Sequence, residues 1–320
     1  SFNTITSSVG GVTAGTLNGI QIPAASNAPT GTMVNSINNN NISLKSGVIA
    51  GAMNGISVAA TTSTLTSTVS INNNNFSDTT HTVAGTAAIT FISYGSPSLT
   101  QTINNNTFTN MSVNTTGAVT FISIGTVPVP ATGTMQVNGN AIVTAFAKTG
   151  AGGSVTFYTN NASPVQGALA SVSNNVVSNI SVTGAAAFTG ISSTDGASAS
   201  SGPTKTISGN TISAISGGSG TMTPMSVNFS GPGTVVSANA INNISWGAGA
   251  TALTLGSSNQ STTATGNTIN TILTTAGTVT AISSATPTAT IASNKVYDLQ
   301  STNATGAVNG VLVTGGTSVT

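Results

Sequence analysis

Large apolar residues recur along this chain in a frame that has an asparagine at its centre. The frame is Φ-x-x-Asn-x-Φ-x-x-Φ, in which Φ is a large apolar residue, and it returns after about 32 residues, a period typical of stacked repeats. The residue two positions after the asparagine is apolar in every copy and mostly β-branched, which suits a half-buried β-strand. The asparagines, beginning with an incomplete copy, are Asn3, Asn40, Asn74, Asn106, Asn140, Asn175, Asn210, Asn239, Asn267 and Asn294.

A second apolar stretch follows each asparagine by 14 to 18 residues. In this stretch apolar and polar residues alternate, as in Phe121-Ile122-Ser123-Ile124, and this alternation predicts a second β-strand in each repeat. Clusters of Gly, Ser, Thr and Pro, such as residues 150–153 and 231–233, separate the two stretches and predict turns. Each repeat is therefore expected to hold two or three short strands.

The spacing between successive asparagines varies from 27 to 37 residues. A coiled coil cannot absorb such variation, whereas a solenoid can, because its loops lengthen at little entropic cost. We therefore predict an all-β chain that forms a parallel β-helix (a β-solenoid) of about ten coils. Right-handed winding is expected because parallel crossovers are strongly right-handed, and the coils would make a rod about 45–50 Å long.

The asparagine column itself suggests two interpretations. Asparagines stacked one per coil can pass an amide hydrogen bond along a buried or half-buried ladder, and asparagine also tolerates the left-handed conformation that a corner needs. Alternatively, each asparagine only ends a strand at a solvated turn. The frame is weakest five positions after the asparagine, where Met111 and Ala145 are apolar but Lys45 and Thr79 are not.

Charged residues make up only 2% of the 320 residues, and Arg, Glu and Cys are absent. Glycoside hydrolysis needs two neighbouring carboxyl groups, but Asp78 and Asp298 occupy the same repeat position seven coils apart, and Asp195 lies in a loop. The sequence therefore predicts neither an enzyme nor a bound cofactor. His81 and Asp78 would give at most two of the four ligands of a structural zinc site, so we predict no metal site and place His81 in a solvated turn.

Other interactions are also disfavoured. Four isolated lysines form no basic stripe that would bind nucleic acid. The sequence contains no run of 18 apolar residues, so we predict no membrane insertion. Trp246 is either an exposed contact for a sugar or, as we favour, a ring packed under a loop. Tyr158 falls in the register of a core strand.

The repeat register also bears on organisation. Counting from Asn294 through Thr320 to the Asn3 of another copy gives 29 residues, which lies within the observed spacings. We therefore expect residues 1–320 to form a single β-solenoid domain that is a segment of, or a stacking unit in, a longer solenoid. Its expected partners are copies of itself or adjoining solenoid segments, joined end to end.

Coils such as Ile207-Ser208-Gly209-Asn210-Thr211-Ile212-Ser213-Ala214-Ile215 resemble the giant β-strand-repeat surface proteins of Bacteroidetes-type bacteria. The resemblance is one of composition and repeat style, and it extends over the whole chain. It implies an extracellular structural protein, the shaft of a surface filament or of a giant adhesin. A carbohydrate-binding or adhesive module that contacts surface glycans, a phage tail-fibre shaft and, from the threonine-rich strands, an ice-binding face remain as alternatives.

Overall fold

A computed structural model describes residues 3–10, 15–24, 32–59, 66–125, 127–165, 167–194, 204–228, 233–257 and 261–320. Within these ranges the regular secondary structure consists of β-strands alone, and strands of successive repeats pair in parallel. The described residues include no helix that is long and apolar enough to cross a membrane. Their buried apolar side chains form a hydrophobic core that runs through the stacked repeats.

The strands form three long parallel sheets and one short one. Sheet 1 follows the asparagines and contains β1 (Asn3–Val9), β4 (Asn40–Ser46), β7 (Asn75–Ser77), β8 (Thr80–Gly85), β11 (Thr107–Thr109), β12 (Met111–Thr115), β16 (Ala141–Ile142), β17 (Phe146–Lys148), β21 (Val176–Val182), β24 (Thr211–Gly217), β27 (Ala240–Trp246), β30 (Thr268–Thr274) and β33 (Lys295–Ser301). Sheet 2 contains β2 (Leu17–Ile22), β5 (Met53–Val58), β9 (Ile89–Tyr94), β13 (Val119–Ile124), β18 (Ser154–Asn160), β22 (Ala187–Ser193), β25 (Met222–Val227), β28 (Ala250–Leu255), β31 (Val279–Ser284) and β34 (Val308–Val313). Sheet 3 contains β3 (Val34–Ser36), β6 (Thr68–Ser70), β10 (Thr100–Thr102), β15 (Thr134–Asn138), β20 (Leu169–Ser173), β23 (Thr204–Ser208), β26 (Thr234–Ser237), β29 (Ser261–Thr265), β32 (Thr288–Ala292) and β35 (Ser318–Val319). The short sheet pairs β14 (Pro128–Val129) with β19 (Ser163–Pro164).

Each coil runs from a strand of sheet 3 through the asparagine to sheet 1, then to sheet 2 and back to sheet 3. Equivalent residues of successive coils are direct partners, as in the series Ile212, Ile241 and Ile269. The predicted β-solenoid is thus confirmed. Each coil contributes to three sheets, where two or three strands per coil were predicted, and in the coils of Asn74, Asn106 and Asn140 the sheet 1 strand is split in two. Among the described residues, sheets 2 and 3 each have ten strands, of which eight have neighbours on both sides, so about eight turns are fully stacked, slightly fewer than the ten predicted.

Variation in coil length is concentrated in the turn from sheet 2 to sheet 3. In sequence, nine residues separate the end of β5 from the start of β6, whereas only three separate β31 from β32. The turn that carries the asparagine is far more constant, since it is two or three residues long in coils such as those around residues 174–175 and 37–39. Loops outside the ladder therefore absorb the irregular spacing while the three sheets keep their register.

An aromatic column fills the middle of the core. Phe121 lies with its ring centroid 5.0 Å from those of Phe91 and Phe108 and 5.2 Å from that of Phe146. These rings come from sheets 1 and 2 of successive coils, and all are buried. Offset and edge-on ring pairs of this kind add to the stability that burial of the rings provides.

The outer end of the apolar frame differs from the prediction in two coils. In most coils the residue four positions after the asparagine has a positive φ, which inserts one extra residue at a bend in sheet 1. The coil of Asn40 lacks this bend, so Leu44 turns inward in place of Lys45. In the coil of Asn140 the bend is one residue longer, and Phe146 is buried whereas Ala145 is exposed.

Candidate functional site

The asparagine column is a continuous buried ladder of hydrogen bonds. From Asn40 to Asn267, each backbone N–H and each side-chain Nδ2 donates to Oδ1 of the asparagine in the next coil, over distances of 2.8 to 3.0 Å. Asn3 joins the ladder through its Nδ2, which donates to Asn40 Oδ1 over 2.9 Å. The ladder interpretation is therefore confirmed, and a solvated strand end is excluded for the buried members such as Asn74 and Asn210.

The ladder satisfies the whole amide group at each interior coil. In Asn106, Nδ2 donates to Oδ1 of Asn140 and to the carbonyl oxygen of Ile71, while Oδ1 accepts from the backbone and side chain of Asn74. An amide has two donor hydrogens and two acceptor lone pairs, so no capacity remains. The side chain therefore links three successive coils, those of Ile71 and Asn74, of Asn106 and of Asn140.

The residue before each ladder asparagine, rather than the asparagine itself, has the left-handed conformation. These preceding residues have φ between 54° and 67° and are Asn39, Asn73, Asn105, Gly139, Asn174, Gly209, Ala238, Gly266 and Ser293. Most are Asn or Gly, the residues that reach this region most easily. The sequence placed the left-handed conformation one residue too late, since none of the ladder asparagines has a positive φ among the described residues.

A second asparagine ladder, which the sequence pattern did not predict, lies outside the first. The backbone N–H of Asn72 donates to Asn38 Oδ1 over 2.7 Å, that of Asn104 to Asn72 Oδ1 over 2.8 Å, and that of Asn138 to Asn104 Oδ1 over 2.9 Å. This outer ladder runs in the opposite direction, since each oxygen accepts from the following coil. Its signal was visible in triplets such as residues 72–74, whose three asparagines have three different roles.

The two acidic residues that the structure describes lie at bends and do not form a reactive pair. Asp78 and Asp298 have φ of 52° and 53° at the same bend of sheet 1, and both are exposed. Asn110, Asn179 and Asn243 occupy that bend in other coils with the same conformation, so a backbone role accounts for Asp at this position. Asp195 lies outside the described residues.

His81 was predicted in a solvated turn, and this prediction was wrong. Its side chain is buried at the inner corner between sheets 1 and 2, where Nε2 lies 2.8 Å from the carbonyl oxygen of Val48 and Nδ1 lies 3.1 Å from that of Asn114. The ring thus bridges the coils before and after its own. Short polar turns, which look solvated in sequence, here direct carbonyl oxygens inward, and a buried donor is needed beside them.

Two further polar side chains are buried at corners. Lys148 lies at the same inner corner as His81, and Lys205 donates through Nζ to Ser193 Oγ over 2.5 Å at the corner between sheets 2 and 3.

Trp246 is buried with its Nε1 donating to the carbonyl oxygen of Gly220 over 2.8 Å, so the packed interpretation is confirmed. Tyr158 is buried in β18 as predicted.

The outer face of sheet 2 carries two columns of hydroxyl groups. The first column is Thr90, Thr120, Thr156, Thr189, Thr223, Thr251 and Thr280, and the second is Ser57, Ser93, Ser123, Thr159, Ser192, Ser226, Thr254 and Ser283. We call these two columns the hydroxyl face. Only Thr280 among them takes part in a side-chain hydrogen bond within the described structure, as acceptor from Asn309, so the face offers unpaired polar groups at the strand spacing.

The other two outer faces are less regular. On sheet 3, Asn138 and Ser171 bond to each other, as do Ser173 and Ser208. A shallow groove on this face is lined by Thr134, Leu169 and Thr204, with no ionisable side chain. In the part of the chain that the structure describes, no group of three or more His, Cys, Asp or Glu is placed to hold a metal ion.

Comparison with known proteins gives no family for this chain: no family model, curated protein or solved structure matches it. The class that the structure defines is a parallel β-solenoid with an internal asparagine ladder.

Proposed function

We propose that this chain is a structural protein, an extracellular β-solenoid that forms part of the shaft of a surface filament or giant adhesin. The observation that supports this proposal most is the uninterrupted asparagine ladder, in which each coil completes the hydrogen bonds of the coil before it. Such a stack resists bending and proteolysis, because in-register strands leave few unpaired backbone groups along its sides. Length and stiffness would then be its contribution to the cell surface.

The ladder has a direction that favours end-to-end continuation. Asn294 accepts from Asn267 and donates once, to the carbonyl oxygen of Ala264, which leaves one amide hydrogen and its backbone N–H without a partner among the described residues. At the other end, Asn3 donates to Asn40, and its Oδ1 has no described partner. Donors at one end and an acceptor at the other complement each other only in a head-to-tail arrangement.

The last coil also presents side chains of the core column. Val311 follows Ile282 in the inward column of sheet 2, yet half of its surface is exposed. Its neighbour Leu312 follows Ser283 in the outward column. A further coil, from a second copy or from an adjoining segment, would bury Val311 and leave Leu312 at the surface. Burial of a valine side chain stabilises by about 1.5 to 3 kcal/mol.

These two adjacent residues allow a matched test of stacking. We expect the 320-residue protein to form end-to-end oligomers whose mass increases with concentration, as measured by sedimentation. Val311→Lys would place a charge in the stacked core and abolish the oligomers, whereas Leu312→Lys would retain them. Equal effects of the two substitutions, or a monomer at every concentration, would contradict the proposal.

A carbohydrate-binding function is the second candidate, and the hydroxyl face favours it. Its unpaired hydroxyl groups repeat with the strand spacing of about 4.8 Å, over six coils in the first column, where Thr280 is bonded, and over eight coils in the second. Hydroxyl groups both donate and accept hydrogen bonds. A glycan array tests this candidate directly. Binding that is lost in Thr156→Lys but kept in Ser181→Lys, a control on the outer face of sheet 1, would favour carbohydrate binding by the hydroxyl face. If the protein binds no glycan on the array, or if both variants bind equally well, this function is contradicted.

A further inference from the structure

The inner corner between sheets 1 and 2 is lined by backbone carbonyl oxygens that receive side-chain donors. Thr115 Oγ1 donates to the carbonyl oxygen of Ala87 over 2.6 Å, and Trp246 Nε1 donates to that of Gly220 over 2.8 Å. His81, which lies in the same column of the corner as Lys148, is placed between two more carbonyl oxygens, those of Val48 and Asn114. The corner turns therefore direct acceptors into the core, and different coils satisfy them with different residue types.

Lys148 occupies the most complete of these sites. Its side chain is fully buried, and Nζ donates to the carbonyl oxygens of Thr115, Gly150 and Gly152 over 2.5, 2.8 and 2.6 Å. An ammonium group has three donor hydrogens, so each has one partner. The three oxygens belong to two successive coils, and the lysine thereby links the coil of Thr115 to its own.

The glycines of the turn make this cage possible. A Cβ atom at Gly150 would lie only 2.2 Å from the carbonyl oxygen of Thr115, so only glycine lets the turn approach that strand. Gly152 has φ of +89°, a conformation that glycine adopts readily. The close approach brings carbonyl oxygens of the two coils around one point.

No carboxylate lies beside the ammonium in the described structure. Asp78 and Asp298, the two acidic residues described, are both exposed at the bend of sheet 1. Desolvation by burial lowers the pKa of Lys148, as expected for a cation that is neutralised only by dipoles. Carbonyl oxygens without carboxylates are the ligands by which channels bind dehydrated potassium, whereas calcium sites add carboxylates.

We propose that this corner is a binding cage for a monovalent cation of ammonium size, which the chain fills with its own lysine side chain. The ligand class that the cage would take in place of Lys148 is ammonium or potassium. The inference is independent of the proposed shaft function, because it concerns one corner of one coil.

The test removes the tethered cation and supplies a free one. Thermal unfolding of Lys148→Ala is measured in ammonium, potassium and tetramethylammonium chloride at equal concentration, the last being a cation of the same charge that cannot donate hydrogen bonds. We expect Lys148→Ala to have a lowered Tm that ammonium or potassium raises by roughly 2 to 4 °C at a tenfold excess over its Kd. Tetramethylammonium should give no such rise, and an equal response to all three salts would overturn the proposal.

Two matched variants control for general salt effects. Val182→Ala shortens the next residue of the same corner column, and Lys148→Met keeps the side-chain volume without the charge. Neither should distinguish the three cations. If Lys148→Ala does not fold in buffer, its refolding yield in each salt becomes the readout, and failure to refold in ammonium and potassium alike would also contradict the cage.

A second measurement uses the unmodified protein. Lys45 and Lys295 are exposed whereas Lys148 is buried with all its hydrogens bonded. Acetylation followed by mass spectrometry should modify Lys148 at least 100-fold more slowly than either exposed lysine. Modification at a comparable rate would show that the ammonium leaves the cage and would overturn the proposal.

Discussion

Asn106 donates twice to a single atom, Oδ1 of Asn140: its Nδ2 over 2.9 Å and its backbone nitrogen over 3.0 Å. The same arrangement recurs in the next coil, where Asn140 donates in both ways to Oδ1 of Asn175. Each asparagine oxygen therefore holds the backbone of the preceding coil as well as its side chain. Because two hydrogen bonds share one acceptor, the asparagine column fixes the backbone of each coil as well as the side chains.

Replacing an interior ladder residue should be costly. In Asn106→Ala, the carbonyl oxygen of Ile71 and both donors of Asn74 lose their partners inside the core. Since each buried unsatisfied group costs about 1 to 3 kcal/mol, we expect a loss of about 3 kcal/mol or more in the free energy of unfolding, measured by urea denaturation. The half-buried Asn114 provides the control, and Asn114→Ala should cost less than about 1 kcal/mol. Equal losses in the two variants would contradict the buried ladder.

The sequence predicted the features that depend on periodicity. The apolar positions around Asn210 and the alternation in residues 121–124 identified the strands of sheets 1 and 2, and the tolerance for variable spacing indicated a solenoid. Periodicity did not reveal which turns direct carbonyl oxygens inward, so the burial of His81 and Lys148 was missed. Nor did it separate the roles of asparagines within one run, such as Asn104 of the outer ladder and Asn106 of the inner ladder.

The residue before a ladder asparagine should tolerate glycine and reject β-branched residues. Asn174 has φ of 57°, a region that asparagine and glycine tolerate but in which most other residues are strained by about 1 to 2 kcal/mol. We expect Asn174→Gly to change the unfolding free energy by less than about 0.5 kcal/mol and Asn174→Val to lower it by about 1 to 2 kcal/mol. Chemical denaturation of the two variants measures both values. A Val variant as stable as the Gly variant would be inconsistent with the left-handed conformation.

The aromatic column should be sensitive to truncation. Phe121 is fully buried among four other phenylalanines, and removal of a buried phenyl ring leaves a cavity that the neighbours fill only in part. Phe121→Ala should therefore lower the unfolding free energy by about 3 to 5 kcal/mol. Thr120→Ala, on the adjacent outward position of β13, is the matched control and should change it by less than about 0.5 kcal/mol. A loss below about 1 kcal/mol in Phe121→Ala would show that this ring is not packed in the core.

Tyr94 should make stability depend on alkaline pH. Its phenol is buried and bonds to the carbonyl oxygen of Ser96 and, over 2.7 Å, to Ser98 Oγ. Burial raises the pKa of Tyr94 from 10.0 to about 12, although the hydrogen bonds to Ser98 and Ser96 oppose this rise. The folded protein thus keeps a proton that the unfolded chain releases, so this contribution to stability is complete below pH 10 and is lost as the pH rises to about 12.

The expected loss from this group is about 2 to 3 kcal/mol over that pH range. It is measured as the difference in unfolding free energy between the wild type and Tyr94→Phe at each pH, and ultraviolet absorbance of the tyrosinate follows the ionisation directly. The exposed Tyr297 supplies the control variant Tyr297→Phe. A difference between wild type and Tyr94→Phe that stays constant from below pH 10 to about pH 12 would show that the phenol is not buried in the folded state.

Cryo-electron microscopy of the concentrated protein tests most directly the central claim, that the coils of one copy continue into those of the next. We predict unbranched filaments in which a spacing of about 4.8 Å runs along the axis without a break at chain boundaries, with the asparagine of the first coil stacked on that of the last. Particles that keep the length of one chain at every concentration, or filaments whose coil spacing is interrupted at each boundary, would contradict it.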